Sequence, residues 1–172
     1  GQDSGGNTVA FTPRWSVANG GGTINASGLF TAGTVAGTFA DTVRARDDAS
    51  GISATTSITV SAGALVSMTL SPASASIPVG GTQQFTATGR DSHGNTVEVS
   101  PTWSLLGCSL GTISAGGLFT AGTTAASCPT GVRAVSGSIT ATAGITVQPG
   151  ALAQIVVTPA NPSVAVGATQ AF

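Results

Sequence analysis

The chain has 172 residues, a formal net charge of −1 and only 6% charged residues, with five arginines and no lysine. Ordinary soluble domains carry roughly a quarter charged residues, so Ser, Thr, Asn, Gln and Gly must cover this surface. Five scattered arginines cannot form the basic stripe of a nucleic-acid binder, the composition does not suit a coiled coil, and no apolar run approaches the roughly 18 residues that cross a membrane.

In chain order, the first feature is a repeat. Gly1–Val9 returns as Gly89–Val97, sharing Gly, Asp, Ser, Gly, Asn, Thr and Val. Pro13-Arg14-Trp15-Ser16 returns as Pro101-Thr102-Trp103-Ser104, and Gly28–Thr34 returns unchanged as Gly117–Thr123. Val43-Arg44-Ala45, Ile58-Thr59-Val60 and Gly63-Ala64-Leu65 return as Val132-Arg133-Ala134, Ile145-Thr146-Val147 and Gly150-Ala151-Leu152. Thr82-Gln83-Gln84-Phe85 matches Thr169-Gln170-Ala171-Phe172, and the offsets are 87 to 89 residues throughout. This register predicts a module lacking its first strands at 1–62, a complete module at 63–149, and the first strands of a following module at 150–172. The modules are thus circularly shifted relative to the chain ends. With no basic-then-apolar leader at the start, a mature or internal segment is expected.

Within the complete copy every signal is for strands. Val66–Leu70 alternates, as does Gln154–Val157 in the later copy. Pro72 ends the first strand, and Ser76–Val79 is a short edge piece where Pro is tolerated. Thr82–Thr88 sets Phe85 and Ala87 against polar neighbours. Asp91–Asn95 is a turn by composition. Val97–Leu105 carries Trp103; Gly111–Ile113 and Leu118–Thr120 flank a Gly turn; Val132–Val135 and Ile139–Val147 finish the copy. Gly, Pro and Thr interrupt every window of helical length. The predicted class is all-β, as tandem Ig-like sandwich modules of seven or eight short strands each.

The run Pro72-Ala73-x-x-Ser76-x-x-Val79-Gly80-x-Thr82-Gln83-x-Phe85, followed by Trp103-Ser104, Gly117-Leu118-Phe119-Thr120-Ala121-Gly122 and Ile145-Thr146-Val147, resembles the bacterial Ig-like group 2 family. The turn Asp91-x-x-Gly94-Asn95 is also similar to invasin-type bacterial Ig-like modules. The resemblance spans essentially the whole chain. It implies tandem extracellular or cell-surface modules serving as stalk, spacer, adhesin or fibre.

In a sandwich of that kind Trp15 and Trp103 are expected as equivalent core residues; the competing reading is a sugar-stacking platform. Cys108 follows the third strand and Cys128 precedes the sixth, its antiparallel neighbour, so a disulfide is expected, with two buried free thiols as the alternative. The first copy has lost both cysteines together, and a disulfide implies an oxidising compartment. Asp3 and Asp91 are read as turn formers. Asp47-Asp48 has no Asp-x-Asp-x-Asp spacing for calcium, so no metal or cofactor is expected. His93 stands in a turn without partners, Glu98 is the only Glu, and no serine has the surroundings of a nucleophile, so no enzyme is expected. Asn25-Ala26-Ser27 is a candidate glycosylation sequon.

These readings favour a non-enzymatic structural repeat of a filament or surface stalk. An adhesin or carbohydrate-binding module meeting surface glycans, or a phage surface decoration, is the alternative. Leu65 and Leu152 are expected to plug the joints between modules. Gly1 follows, and Phe172 lies within, the same expected inner strand. Copies are therefore expected to meet head to tail, with Ile155, Val157, Val164, Val166 and Phe172 entering the module begun at Gly1 of the next copy. A continuous tandem polypeptide is favoured over exchange of strands between separate subunits, because a true end inside a central strand would be costly. No nucleic-acid partner and no membrane span in this segment are expected.

Overall fold

The computed structural model describes residues 1–172 and contains only strands, turns and connecting segments. The first half supplies β1 (Arg14–Val17), β2 (Gly22–Ile24), β3 (Phe30–Ala32), β4 (Gly37–Arg46) and β5 (Ser53–Val60). The second supplies β6 (Ser67–Ser71), β7 (Ser74–Pro78), β8 (Thr82–Gln84), β9 (Thr86–Arg90) and β10 (Thr96–Val97). It continues with β11 (Thr102–Leu105), β12 (Gly111–Ile113), β13 (Leu118–Ala121), β14 (Ala126–Ser136) and β15 (Ile139–Gln148).

Residues 67–148 form an Ig-like sandwich. One sheet runs β11-β14-β15-β7, with β7 parallel to β15 and the other pairs antiparallel. The opposite layer consists of β12-β13-β8 and β10-β9-β6. Phe85 alone separates β8 from β9, so one chain segment carries both halves of that layer. The period-2 pattern does what it predicts: Met68 and Leu70 of β6, and Phe119 and Ala121 of β13, point inward while their neighbours face out. Phe85, Phe119 and Val132 are the fully buried centre of the single core cluster.

β1 to β5 reproduce only part of this plan. β1-β4-β5 is the counterpart of β11-β14-β15, and β2-β3 that of β12-β13. Both long strands carry the same bulge, between Phe39 and Val43 in β4 and between Cys128 and Val132 in β14. Cross-strand hydroxyl pairs also coincide, Thr38 with Thr59 at 3.2 Å and Ser127 with Thr146 at 2.9 Å. Such pairs supply cross-strand contacts on a surface with almost no charge.

At the bulge the two copies fasten the loop after β1 or β11 by different chemistry. In the second copy Cys108 and Cys128 are disulfide-bonded, with Cα atoms 6.4 Å apart. In the first, Phe39 stands where Cys128 does, and its ring lies under Gly20-Gly21; a Cβ at Gly21 would sit 2.6 Å from Phe39 Cδ2. Thr42, fully buried, donates its hydroxyl to the Gly20 carbonyl at 2.7 Å and accepts from the Asn19 N–H at 3.3 Å. Asn19 Nδ2 adds a bond to the Ala40 carbonyl at 2.8 Å.

Replacing both cysteines by serine should therefore cost about 3 kcal/mol, the loop-closure value for a separation of 20 residues. Thr42→Val should cost about 1–3 kcal/mol through the lost hydroxyl bonds. Urea unfolding of each variant, with hydrogen exchange to assign the loss to one copy, measures both.

Candidate assembly interface

A sheet with one apolar face needs a second layer. Residues 1–62 offer β1-β4-β5 and the β2-β3 hairpin, but no counterparts of β6, β7 and β8. The inner face consequently stays open: Phe30 is only half-buried where Phe119 is fully buried, and Ile52 and Ala54 are exposed. A cavity of about 480 Å³ lies at one end of this face, lined by Val9, Phe11, Ala45, Ile52 and Ala54 among others. In the second copy the corresponding notch is filled. Leu65 packs over Gly89 beside Val99, and Met68 is buried in the core. Leu65 thus packs on its own module, at Gly89 and Val99.

Residues 149–172 form no strand. The strand read at Gln154–Val157 is thereby corrected: without a neighbour there is no ladder to hold it. Ile155, Val157, Val164, Val166 and Phe172 are all exposed, whereas their counterparts Met68, Leu70, Ile77 and Phe85 are core residues and Val79 packs against them. Phe172 is 75% exposed and Phe85 0%. Yet the segment already holds the local shape of its counterpart. The Ala168 N–H donates to the Ala165 carbonyl at 3.0 Å, as the Gly81 N–H does to Pro78. Gly167 and Gly80 share positive φ, and Gln170 and Gln83 each donate to the next residue's carbonyl at 2.8 Å.

The joint between the halves is made by the Asp91–Asn95 turn. Asp91 is buried and accepts the His93 and Asn95 N–H groups at 2.8 and 2.9 Å. Its other oxygen accepts Asn95 Nδ2 and the N–H of the linker residue Gly63, both at 2.8 Å. Asn95 then reaches the first half: Nδ2 donates to the Thr34 carbonyl at 2.8 Å and Oδ1 accepts the Ala36 N–H at 2.9 Å. One five-residue turn thus fastens both the linker and the loop between β3 and β4. Sequence reading took Asp91 as a turn former and missed the clamp. The available signal was that Asn recurs at 7 and 95 while His93 is replaced by Gly5.

The remaining candidates lie apart. Trp15 and Trp103 are equivalent but half-buried, at the rim of the core rather than its centre. Each indole is crossed by the turn of the Gly-Leu-Phe motif: a Cβ at Gly28 or Gly117 would lie 2.9 Å from Trp15 or Trp103 Cε2, and both glycines have positive φ. Phe85 and Phe119 take the central place. Asn25 Oδ1 accepts the Ser27 N–H and hydroxyl and the Leu29 N–H, so Asn25 forms an exposed turn. Asp47 closes the β4–β5 turn through Ser50, whose hydroxyl and N–H hold its carboxyl below the usual carboxylate range. Asp48 faces Arg14 and Arg46 at 3.8 and 3.7 Å on the surface, where such pairs contribute little. His93 lies in the turn, with Nδ1 3.3 Å from Ser92 Oγ.

Hydrogen bonds from the Asn95 amide, then from the Gly63 N–H, hold the Asp91 carboxyl far below the usual range. A depressed carboxylate stabilises fully above its unfolded value, near pH 4, and loses that contribution as pH falls toward the folded value. Asp91→Asn should thus be less stable than the parent at neutral pH, with the difference shrinking steadily below about pH 4. Urea midpoints across that range measure it.

The chain is similar to Ice-binding protein 1 of Shewanella frigidimarina (strain NCIMB 400), 35% identical over 153 residues that make up 87% of this chain and 17% of that protein. The chain therefore spans less than a fifth of that relative's length. Domains 4 and 5 of the S-layer protein SbsC align over 86% of this chain and 78% of theirs, at 19% identity and a TM-score of 0.44. Domains 1–6 of the same protein align over 88% of this chain and 22% of theirs, at 18% identity and a TM-score of 0.45. A family model, the bacterial Ig-like domain (group 2), matches residues 64–154, more than half of the sequence. The chain belongs to the bacterial Ig-like domain (group 2) family.

Proposed function

We propose that this chain is a non-enzymatic structural repeat of an extracellular or cell-surface array. In that array a segment like Gly150–Phe172 of one copy covers the open face of residues 1–62 of the next. The observation that carries the reading is the paired burial. Five apolar side chains stand in solvent along the tail, and their counterparts pack in or against the core of the complete sandwich. The cavity lined by Val9, Phe11 and Ala45 is the space that Leu65 and Met68 fill in that sandwich. Completion works equally along one polypeptide or between separate ones. The disulfide supports an oxidising compartment. A match along 17% of a longer ice-binding protein supports a place as one part of a larger protein. Asn25, exposed in its turn, is the candidate site for a surface glycan.

Fusing Gly63–Thr88 ahead of Gly1 should give two closed sandwiches. The melting temperature of the first half should rise, Trp15 fluorescence should shift to the blue, and concentration-dependent association should disappear. No change in any of the three would refute the proposal.

A further inference from the structure

We propose that the Asp3–Asn7 turn is a docking surface for a second copy of this repeat. Asn7 takes the Thr123 carbonyl and the Ala125 N–H of the preceding copy, and Asp3 takes that copy's Gly150 N–H. The proposal rests on the head-to-tail reading above and adds a contact that strand completion does not itself require.

The chain contains the template. Between its own halves Asn95 holds the Thr34 carbonyl and Ala36 N–H, while Asp91 holds the Gly63 N–H. Every group in that joint has a counterpart facing outward. Thr34, Ala36 and Gly63 correspond to Thr123, Ala125 and Gly150, and Asp91 and Asn95 to Asp3 and Asn7. The outward turn is already set. Asp3 Oδ1 accepts the Gly5 and Asn7 N–H groups at 2.9 Å, and Oδ2 accepts Asn7 Nδ2 at 2.9 Å. What Asp3 lacks relative to Asp91 is the linker N–H, and what Asn7 lacks relative to Asn95 is the loop.

The receiving loop is set as well. The Gly33 N–H donates to the Gly21 carbonyl at 2.8 Å and anchors the first loop; the Gly122 N–H donates to the Leu110 carbonyl at 2.7 Å and anchors the second. Within one chain the Thr123 carbonyl and the Ala125 N–H have no hydrogen-bond partner, and both residues are exposed. A C=O and an N–H two residues apart, as at Thr34 and Ala36, are thus open to one side-chain amide. Both surfaces belong to the same repeat, so the occupant is another copy of it.

The test uses two full copies fused through Thr-Ala-Thr, the residues that separate Phe85 from Gly89 in the complete module. Amide hydrogen exchange is followed by NMR at Ala36, Ala125 and Phe172. In the single chain Ala36 should be protected, and Asn95→Ala should reduce that protection by about tenfold or more, as expected for local opening. Ala125 of the first copy should exchange freely in the single chain and gain about tenfold or more protection in the fusion. Asn7→Ala in the second copy should abolish the gain. Asn7→Leu, which keeps the side chain's size and removes both the amide donor and the oxygen that would accept the Ala125 N–H, should do the same. Protection at Phe172 without protection at Ala125 would overturn the clamp and leave strand completion standing. Protection at Ala125 without Phe172 would sustain the clamp and remove strand completion. Free exchange at both would sink both.

Discussion

Everything in this molecule follows from the need to cover one apolar sheet face. The sheet β11-β14-β15 buries Val132, Ala134, Ala143, Ile145 and Val147 only because β6, β8 and β13 lie across it with Met68, Leu70, Phe85 and Phe119. Phe85 sits at the one point where β8 and β9 meet, and it is fully buried. The equivalent sheet β1-β4-β5 has the same residue pattern and no such cover, so Val43 is its only fully covered apolar side chain. Burying a side chain of this size is worth roughly 1.5–3 kcal/mol. The uncovered face forgoes a contribution of that order at each such position, and the exposed tail carries side chains of the matching kind.

The bulge in the long strand shows how one mechanical requirement can be met by unlike means. The bulge kinks β4 and β14 alike, and the loop after the paired strand, β1 or β11, is anchored beside it. In one copy a covalent bond supplies it; in the other an aromatic ring under two glycines, a buried threonine hydroxyl and an asparagine amide do so. The disulfide depends on redox conditions, and the anchor built on Phe39, Thr42 and Asn19 does not. The two halves should thus part company in reducing buffer, where only the second loses its anchor.

Much of the fold was legible because a strand records its two faces in alternate residues. Met68 and Leu70, Phe119 and Ala121 point where alternation puts them, and the disulfide pair was marked by the joint loss of both cysteines from the first copy. Three things were not legible. The strand at Gln154–Val157 was read from the same alternation, but alternation specifies a face and not the neighbour that completes a ladder. Trp103 was expected in the core because an Ig-like sandwich buries a Trp on its third strand, whereas it packs at the edge and the phenylalanines of the Thr-Gln-x-Phe and Gly-Leu-Phe motifs hold the middle. The clamp at Asn95 was hidden because its partners lie about 60 residues away and are backbone groups. Backbone acceptors and donors carry no letter in a sequence.

That last property has a consequence for how such a chain can change over generations. Asn95 engages a carbonyl and an N–H, and the side chain between them plays no part; it is Val in the first loop and Thr in the second. Mutations in the loop are therefore invisible to the joint so long as the backbone path survives. Unequal recombination that inserts or deletes whole repeats would place any loop against any turn, and each pairing would serve. In the proposed array, length is then set by copy number alone, without a compensating substitution at any joint.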